Sequence, residues 1–319
     1  LSSLSALESV LSVILMIALG LVFAKKGWFG EKSDSLISRL VVSIALPAYM
    51  IANLMGGYDR AKLLAMLPGL PIPFAVMASC YALGAGIAVL FRLPRGRRGS
   101  FASMFALSNT IFIGLPVNLI LFGEASLPYV LLYYIANTST FWTIGVYGIA
   151  RDGATLSGRP APSLVSVEGL RRVFSPPLVA FLAAVAMIVA GIELPRPIMD
   201  SCKALGAMTT PLSMLFIGIV ISRVEWRKLR LERDLVLVLV GRFVVSPLVL
   251  IFIARGTGLP LLMKEVFLVQ ASMPAMTQTP ILAEAYGADS RYAGVATSLS
   301  TVLSLATIPL FRIIAGAAF

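Results

Sequence analysis

The chain has 319 residues, of which 58% are hydrophobic and 13% charged, with a mean hydropathy of +0.92. Soluble domains carry about 25% charge and roughly 45–50% apolar residues, so this excess cannot be hidden in one core and would coat the surface of a globule. The composition therefore calls for a membrane as solvent, and the net charge of +11 reads as an orientation signal rather than a nucleic-acid surface.

Taken in order, the apolar segments expected to span are 4–24, 34–55, 66–91, 101–122, 127–149, 171–191, 203–222, 233–254, 262–285 and 291–317. Each is near the roughly 20 residues a spanning helix needs. The longest polar connection, rich in Gly, Pro and Ser, follows the fifth span. It divides the chain into a first five-helix repeat (1–150), a short central loop (151–170) and a second repeat (171–319). Loops after the odd-numbered spans, counted with their flanking span ends, hold 18 Lys and Arg; those after even-numbered spans hold 6. The odd loops are thus expected in the cytoplasm and both termini outside.

With five spans per half, a repeat must be inverted in the bilayer. An offset of 164 residues places Pro47 on Pro211, Ser108 on Ser272, Pro116 on Pro280, Gly123 on Gly287 and Thr143 on Thr307. Inverted repeats with interrupted helices belong to secondary transporters. Proline removes a backbone donor and clashes with the carbonyl four residues back. Breaks are therefore expected at Gly114 and Pro116 in span 4, and at Pro274 and Pro280 in span 9. Polar residues gather beside them: Ser108, Asn109, Thr110 and Asn118 in one span, Gln270, Ser272, Thr277, Gln278 and Thr279 in the other. Singly, each reads better as a helix–helix hydrogen bond; clustered at two breaks they point to a binding site. Half-helix N-termini there would suit an anionic group.

Chemistry other than transport finds little support. There is no histidine, no paired-carboxylate motif within a span and no nucleotide-binding glycine loop, so no enzyme is expected. Cys80 and Cys202 read as buried thiols. No metal and no cofactor is expected, with a sodium ion left open. Intramembrane charges are costly unless paired or lining water. They single out Glu8, Arg242, Glu284 and Arg312, with Arg242 either a substrate partner or a tie within the bundle.

The order and spacing of several motifs carry a resemblance. They are Ser108-Asn109-Thr110 with Ile113-Gly114-Leu115-Pro116 and Phe122-Gly123, then Ala271-Ser272-Met273-Pro274-Ala275. Ile281-Leu282-Ala283-Glu284 with Tyr286-Gly287, and Ser298-Leu299-Ser300-Thr301 with Thr307-Ile308-Pro309, continue it. Across the whole chain the sequence resembles the auxin efflux carrier family, whose bacterial members include malonate and other organic-acid permeases, within the wider bile-acid/sodium symporter superfamily. The resemblance implies an all-α integral membrane protein of ten transmembrane helices in two inverted five-helix repeats, with broken helices 4 and 9 crossing. It also implies a scaffold of helices 1, 2, 6 and 7, a transport domain of helices 3–5 and 8–10, and a homodimer. In plant members an Asn beside the span-4 break helps bind the substrate; Asn109 matches it. The short central loop argues against the plant hormone as substrate.

The expected function is transport of a small organic carboxylate by elevator-like alternating access in a bacterial inner membrane. Asn109, Gln270, Gln278, Ser108, Thr277 and Arg242 are the substrate-binding candidates, and Glu284 is a possible coupling residue. Neutral donors hold an anion weakly enough to release it. A sodium- or proton-coupled symporter of a larger, bile-acid-like acid is the alternative, and an anion channel or membrane receptor the alternative class. Membrane lipid and a second copy of the chain are the expected partners besides the substrate, with no nucleic acid.

Overall fold

Proline and glycine decide where the helices start, widen and stop. The computed structural model describes residues 3–30, 33–158, 160, 174, 176–223 and 232–319, the side chains of 3–13, 34 and 35 excepted. Its first half contains α1 (Ser3–Lys25), α2 (Ser33–Leu40), α3 (Leu46–Gly57), α4 (Arg60–Met66), α5 (Pro71–Leu90), α6 (Arg98–Ala106), α7 (Leu115–Phe122), α8 (Leu127–Thr140) and α9 (Val146–Ser157). Its second half contains α10 (Pro176–Ala190), α11 (Arg196–Gly206), α12 (Thr209–Ser222), α13 (Arg233–Val240), α14 (Ser246–Arg255), α15 (Leu261–Ala271), α16 (Gln278–Tyr286) and α17 (Ser290–Ala318). Every regular element among the described residues is helical, and a single antiparallel bridge, Ser108 with Ala275, interrupts that pattern.

Three of the prolines in apolar runs are preceded by five π-wound residues. Val41–Ala45 leads to Pro47, Thr110–Gly114 to Pro116, and Gly241–Val245 to Pro247, each proline being the second residue of the α-helix that follows. A wider turn moves the carbonyl four residues back away from the ring and needs no N–H from the proline. Pro211 and Pro280 instead lie in the first turns of α12 and α16, where the missing N–H has no intrahelical partner to lose.

Among the described residues, five helical stretches are long and apolar enough to cross a membrane: Leu36–Gly57, Arg60–Leu90, Arg196–Ser222, Arg233–Arg255 and Ser290–Ala318. Ile14–Lys25, Thr110–Phe122 and Pro176–Ala190 are shorter apolar helices. Polar and apolar surface are distributed as a lipid solvent requires. Phe252, Leu90 and Ile313 are more than two-thirds exposed, while Asn109, Asn137, Arg242, Gln270 and Ser300 are buried. Part of the expected central loop is helical: α9 runs to Ser157, and Gly158 closes it in the left-handed conformation (φ 67°). The rest of that loop, including Arg159, Arg171 and Arg172, lies outside the described residues, as do Arg227, Lys228, Arg230 and the Glu8 side chain.

The chain forms two compact units, each drawing on both halves of the sequence. The first takes the described residues of Leu1–Pro68, Leu115–Pro128 and Val173–Arg223; the second takes those of Gly69–Gly114, Tyr129–Arg172 and Val224–Phe319. In the first, α1 and α12 pack backbone to backbone. A Cβ on Gly20 would lie 2.5 Å from the Leu215 carbonyl oxygen, and one on Gly218 2.3 Å from that of Ile17. In the second, α6 and α9 do the same, since a Cβ on Gly99 would lie 2.0 Å from the Gly148 oxygen. Arg97 ties together distant segments of this unit through Glu232 at 2.9 Å, Asp234 at 3.0 Å and Asp289 at 2.7 Å.

Candidate functional site

Two helix interruptions meet inside the second unit. After α6 the chain is extended at Leu107 (φ −106°, ψ 132°) and winds again only from Thr110. After α15 it is irregular through 272–277, with α16 beginning at Gln278. The extended segments pair: Asn109 N–H donates to the Pro274 carbonyl at 2.8 Å beside the Ser108–Ala275 bridge. The first break therefore lies at 107–109, upstream of the expected Gly114 and Pro116. Those two sit within the following helix because the π-wound turn accommodates the proline. Of the expected break residues in the second segment, Pro274 lies in the interruption and Pro280 just beyond it, in the first turn of α16.

Backbone groups freed in a membrane interior need partners, and neighbouring helices supply them. Asn137 on α8 brackets Ser108, its Oδ1 accepting from Ser108 N–H at 3.0 Å and its Nδ2 donating to the Ser108 carbonyl at 2.9 Å. On the other strand, Ala275 N–H donates to Ser300 Oγ of α17 at 3.1 Å. The sequence reading missed both supports. Their signal was present as polar residues inside spans 5 and 10, and Asn137 falls beside Ser300 under the 164-residue offset.

Asn109 is 3% exposed. Its Oδ1 accepts from Phe112 N–H at 3.1 Å, while its Nδ2 has no hydrogen-bond partner among the described residues. Gln270, fully buried, donates from Nε2 to the Thr110 carbonyl at 3.3 Å and leaves Oε1 without a partner among them. Gly114 makes room for it, since a Cβ there would lie 2.2 Å from that Oε1. Ser108 is buried in the paired strand, and Thr277 and Gln278 stand half-buried at the start of α16. The Gln278 Oε1 and Thr279 Oγ1 atoms also have no partner among the described residues. These candidates share one region. Asn118 lies on α7 in the first unit, and Glu284 is exposed at the far end of α16, accepting a hydrogen bond from Ser290 Oγ. Arg312 pairs with Glu265 at 3.7 Å.

Arg242 is fully buried, and its guanidinium faces the carbonyls that end α6 and α15. Nε donates to Met273 O at 3.1 Å; Nη1 donates to Phe105 O at 3.2 Å and Ala106 O at 2.8 Å; Nη2 donates to Ala271 O at 2.6 Å and Met273 O at 3.0 Å. A guanidinium has five N–H groups. All five are engaged by carbonyls in this structure.

At its other end α6 is held by a carboxylate. Asp152 accepts from Gly99 N–H (2.9 Å), Ser100 N–H (2.7 Å) and Ser100 Oγ (3.0 Å), and it lines a cavity of about 610 Å³ with Arg95, Arg98 and Arg151. Burial pushes its carboxyl up to about 6, against the lowering effect of those three hydrogen bonds.

Lipid-compatible exteriors, polar interiors and paired helix breaks define a class, the integral membrane transport proteins built on interrupted helices. The particular family follows from comparison: the family described as "Membrane transport protein" matches residues 5–312. The chain belongs to it, the auxin efflux carrier family that the motifs resemble, and is a transport protein rather than an enzyme. An "Uncharacterized transporter" of Methanothermobacter thermautotrophicus is 28% identical over 96% of this chain and 97% of its own. Another, of Methanocaldococcus jannaschii, is 25% identical over the same shares. The Rhizobium meliloti protein named "Putative malonate transporter" is 22% identical over 85% of this chain and 84% of its own.

Proposed function

We propose that this protein carries a small organic carboxylate, of the size and charge of malonate, across the membrane by alternating access. The observation that carries this reading is the Asn109 amide. Its carbonyl is engaged by the broken backbone, so its NH₂ group is oriented and left as a donor at the paired breaks. Gln278, Thr277 and the opening turn of α16 add polar groups and a partial positive end, which favours an anion without a fixed cation that would retain it. The name of the Rhizobium relative agrees with that substrate class.

Support for the ten-span, inverted-repeat plan comes from equivalent features at the 164-residue offset. Gly123 and Gly287 follow the second half-helices and share φ 71°. The division into two units favours an elevator in which the second, holding both breaks, moves against the first. An inward-negative potential would drive an anion outward at about 2.3 kcal/mol per charge per 100 mV. Purified protein in proteoliposomes should show saturable uptake of labelled malonate or a close mono- or dicarboxylate, accelerated by unlabelled substrate on the opposite side. Flux that neither saturates nor exchanges would identify a channel. No saturable uptake across the carboxylate panel would refute the substrate class.

A further inference from the structure

The Arg242 carbonyl cluster has the composition of a cation site. Four backbone oxygens, those of Phe105, Ala106, Ala271 and Met273, converge on one buried point, and three of them belong to the last residues of α6 and α15. Each helix C-terminus carries roughly half a negative charge. Two ends together present about one negative charge around a fully buried side chain. The segments 105–111 and 270–280 contain no acidic residue, so the negative potential there comes from backbone dipoles. A monovalent cation balances it.

We propose that these carbonyls form a cation site which the chain fills permanently with its own Arg242 guanidinium, so that the paired breaks assemble without a sodium ion or any other free cation. The charge of one guanidinium matches the two helix ends, and its five donors are fully engaged. Arg242 is thereby a positioning residue. It acts on the substrate region through the ends of α6 and α15, whose continuations carry Asn109 and Gln278. A buried cation left without partners is costly, and so are two helix ends left facing each other without it. The consequence for transport rests on the carboxylate reading: the carrier would be driven by substrate and membrane potential, independent of sodium. The site itself does not depend on that reading.

The test uses purified full-length protein in detergent, heated in sodium, guanidinium or choline chloride at matched millimolar concentration, with no substrate present. Wild-type protein is expected to melt at the same temperature in all three. Arg242→Ala is expected to melt lower in choline, and to be raised by guanidinium with a saturable concentration dependence. Saturable stabilisation of the wild type by sodium would show a vacant cation site and overturn the proposal. A folded Arg242→Ala protein that responds to no cation would overturn it as well. Arg242→Lys and Arg242→Met decide the matter if the alanine variant is not recovered folded. A site that requires positive charge leaves Lys melting above Met, whereas a side chain that merely fills space leaves Met equal or higher, which refutes the proposal. A failed malonate assay would leave these outcomes intact, and their failure would leave the carboxylate reading standing.

Discussion

The two ends of the Asn109 amide stand in different surroundings, and mutation should separate them. Its Oδ1 caps the restarted helix through Phe112 N–H, worth about 1 kcal/mol of stability, whereas its Nδ2 has no partner among the described residues and is the donor we propose for the substrate. Asn109→Ala should therefore lower the melting temperature slightly and weaken malonate binding by about 10- to 150-fold, the equivalent of one lost hydrogen bond to a charged ligand. Asn109→Asp should bind more weakly still, because it places an anion where another anion docks. Thermal shift and equilibrium binding on both variants check this; unchanged affinity in a well-folded alanine variant would move the contact to Gln278. Asn109 was legible in the sequence because a polar residue beside a proline-bearing span is locally conspicuous. The engagement of Arg242 was not. An arginine in an apolar segment signals only that some partner exists, and its carbonyl partners lie 29 to 137 residues away.

At the scale of elements, the contact between α6 and α9 fixes how the first half-helix of the paired breaks is mounted. Gly99 meets the Gly148 backbone, which cannot withdraw as a flexible side chain can. Gly99→Ala should cost about 1–3 kcal/mol through overpacking. Gly86→Ala, on α5 with open space at its Cβ, should be neutral or stabilising by up to about 1 kcal/mol. Melting temperatures of the two variants test the contrast. Asp152, beside the same contact, predicts a pH dependence. Its carboxyl stands at about 6 in the fold against 3.8 for an ordinary aspartate, so between those values the folded chain binds more protons than the unfolded one. This group's contribution to stability is present at the acid end and lost as pH rises through about 6. The difference in melting temperature between wild type and Asp152→Asn should change across that window and level off above it. A constant difference would show that Asp152 does not titrate there.

For the whole molecule, the loop charges and the two units bear on different questions. Loop charge predicts sidedness. With Cys80 and Cys202 replaced by Ser, a cysteine at Arg95 should react with an impermeant label only from the cytoplasmic face, and cysteines at Arg60 or Arg255 only from outside. Labelling of both sets from one side would remove the N-out arrangement. The units, by contrast, gather segments distant in the chain, and their bounds do not follow the central division of the sequence.

Composition and hydropathy by themselves determined that this is a helical membrane protein, because no other solvent accepts 58% hydrophobic residues arranged in 20-residue runs. Motif order placed it among the auxin efflux carriers, and clustered polar residues marked the region where the two helix interruptions pair. Only the tertiary structure decided what each proline does. Pro116 widens a helix, Pro274 lies in an interruption and Pro280 sits in a first turn, although all three are the same local signal. The reason is that a proline always frees backbone groups, but whether the helix then bulges or breaks depends on what satisfies them. At the two breaks those partners are Asn137, Ser300 and Arg242, brought there by packing and not by proximity in the chain.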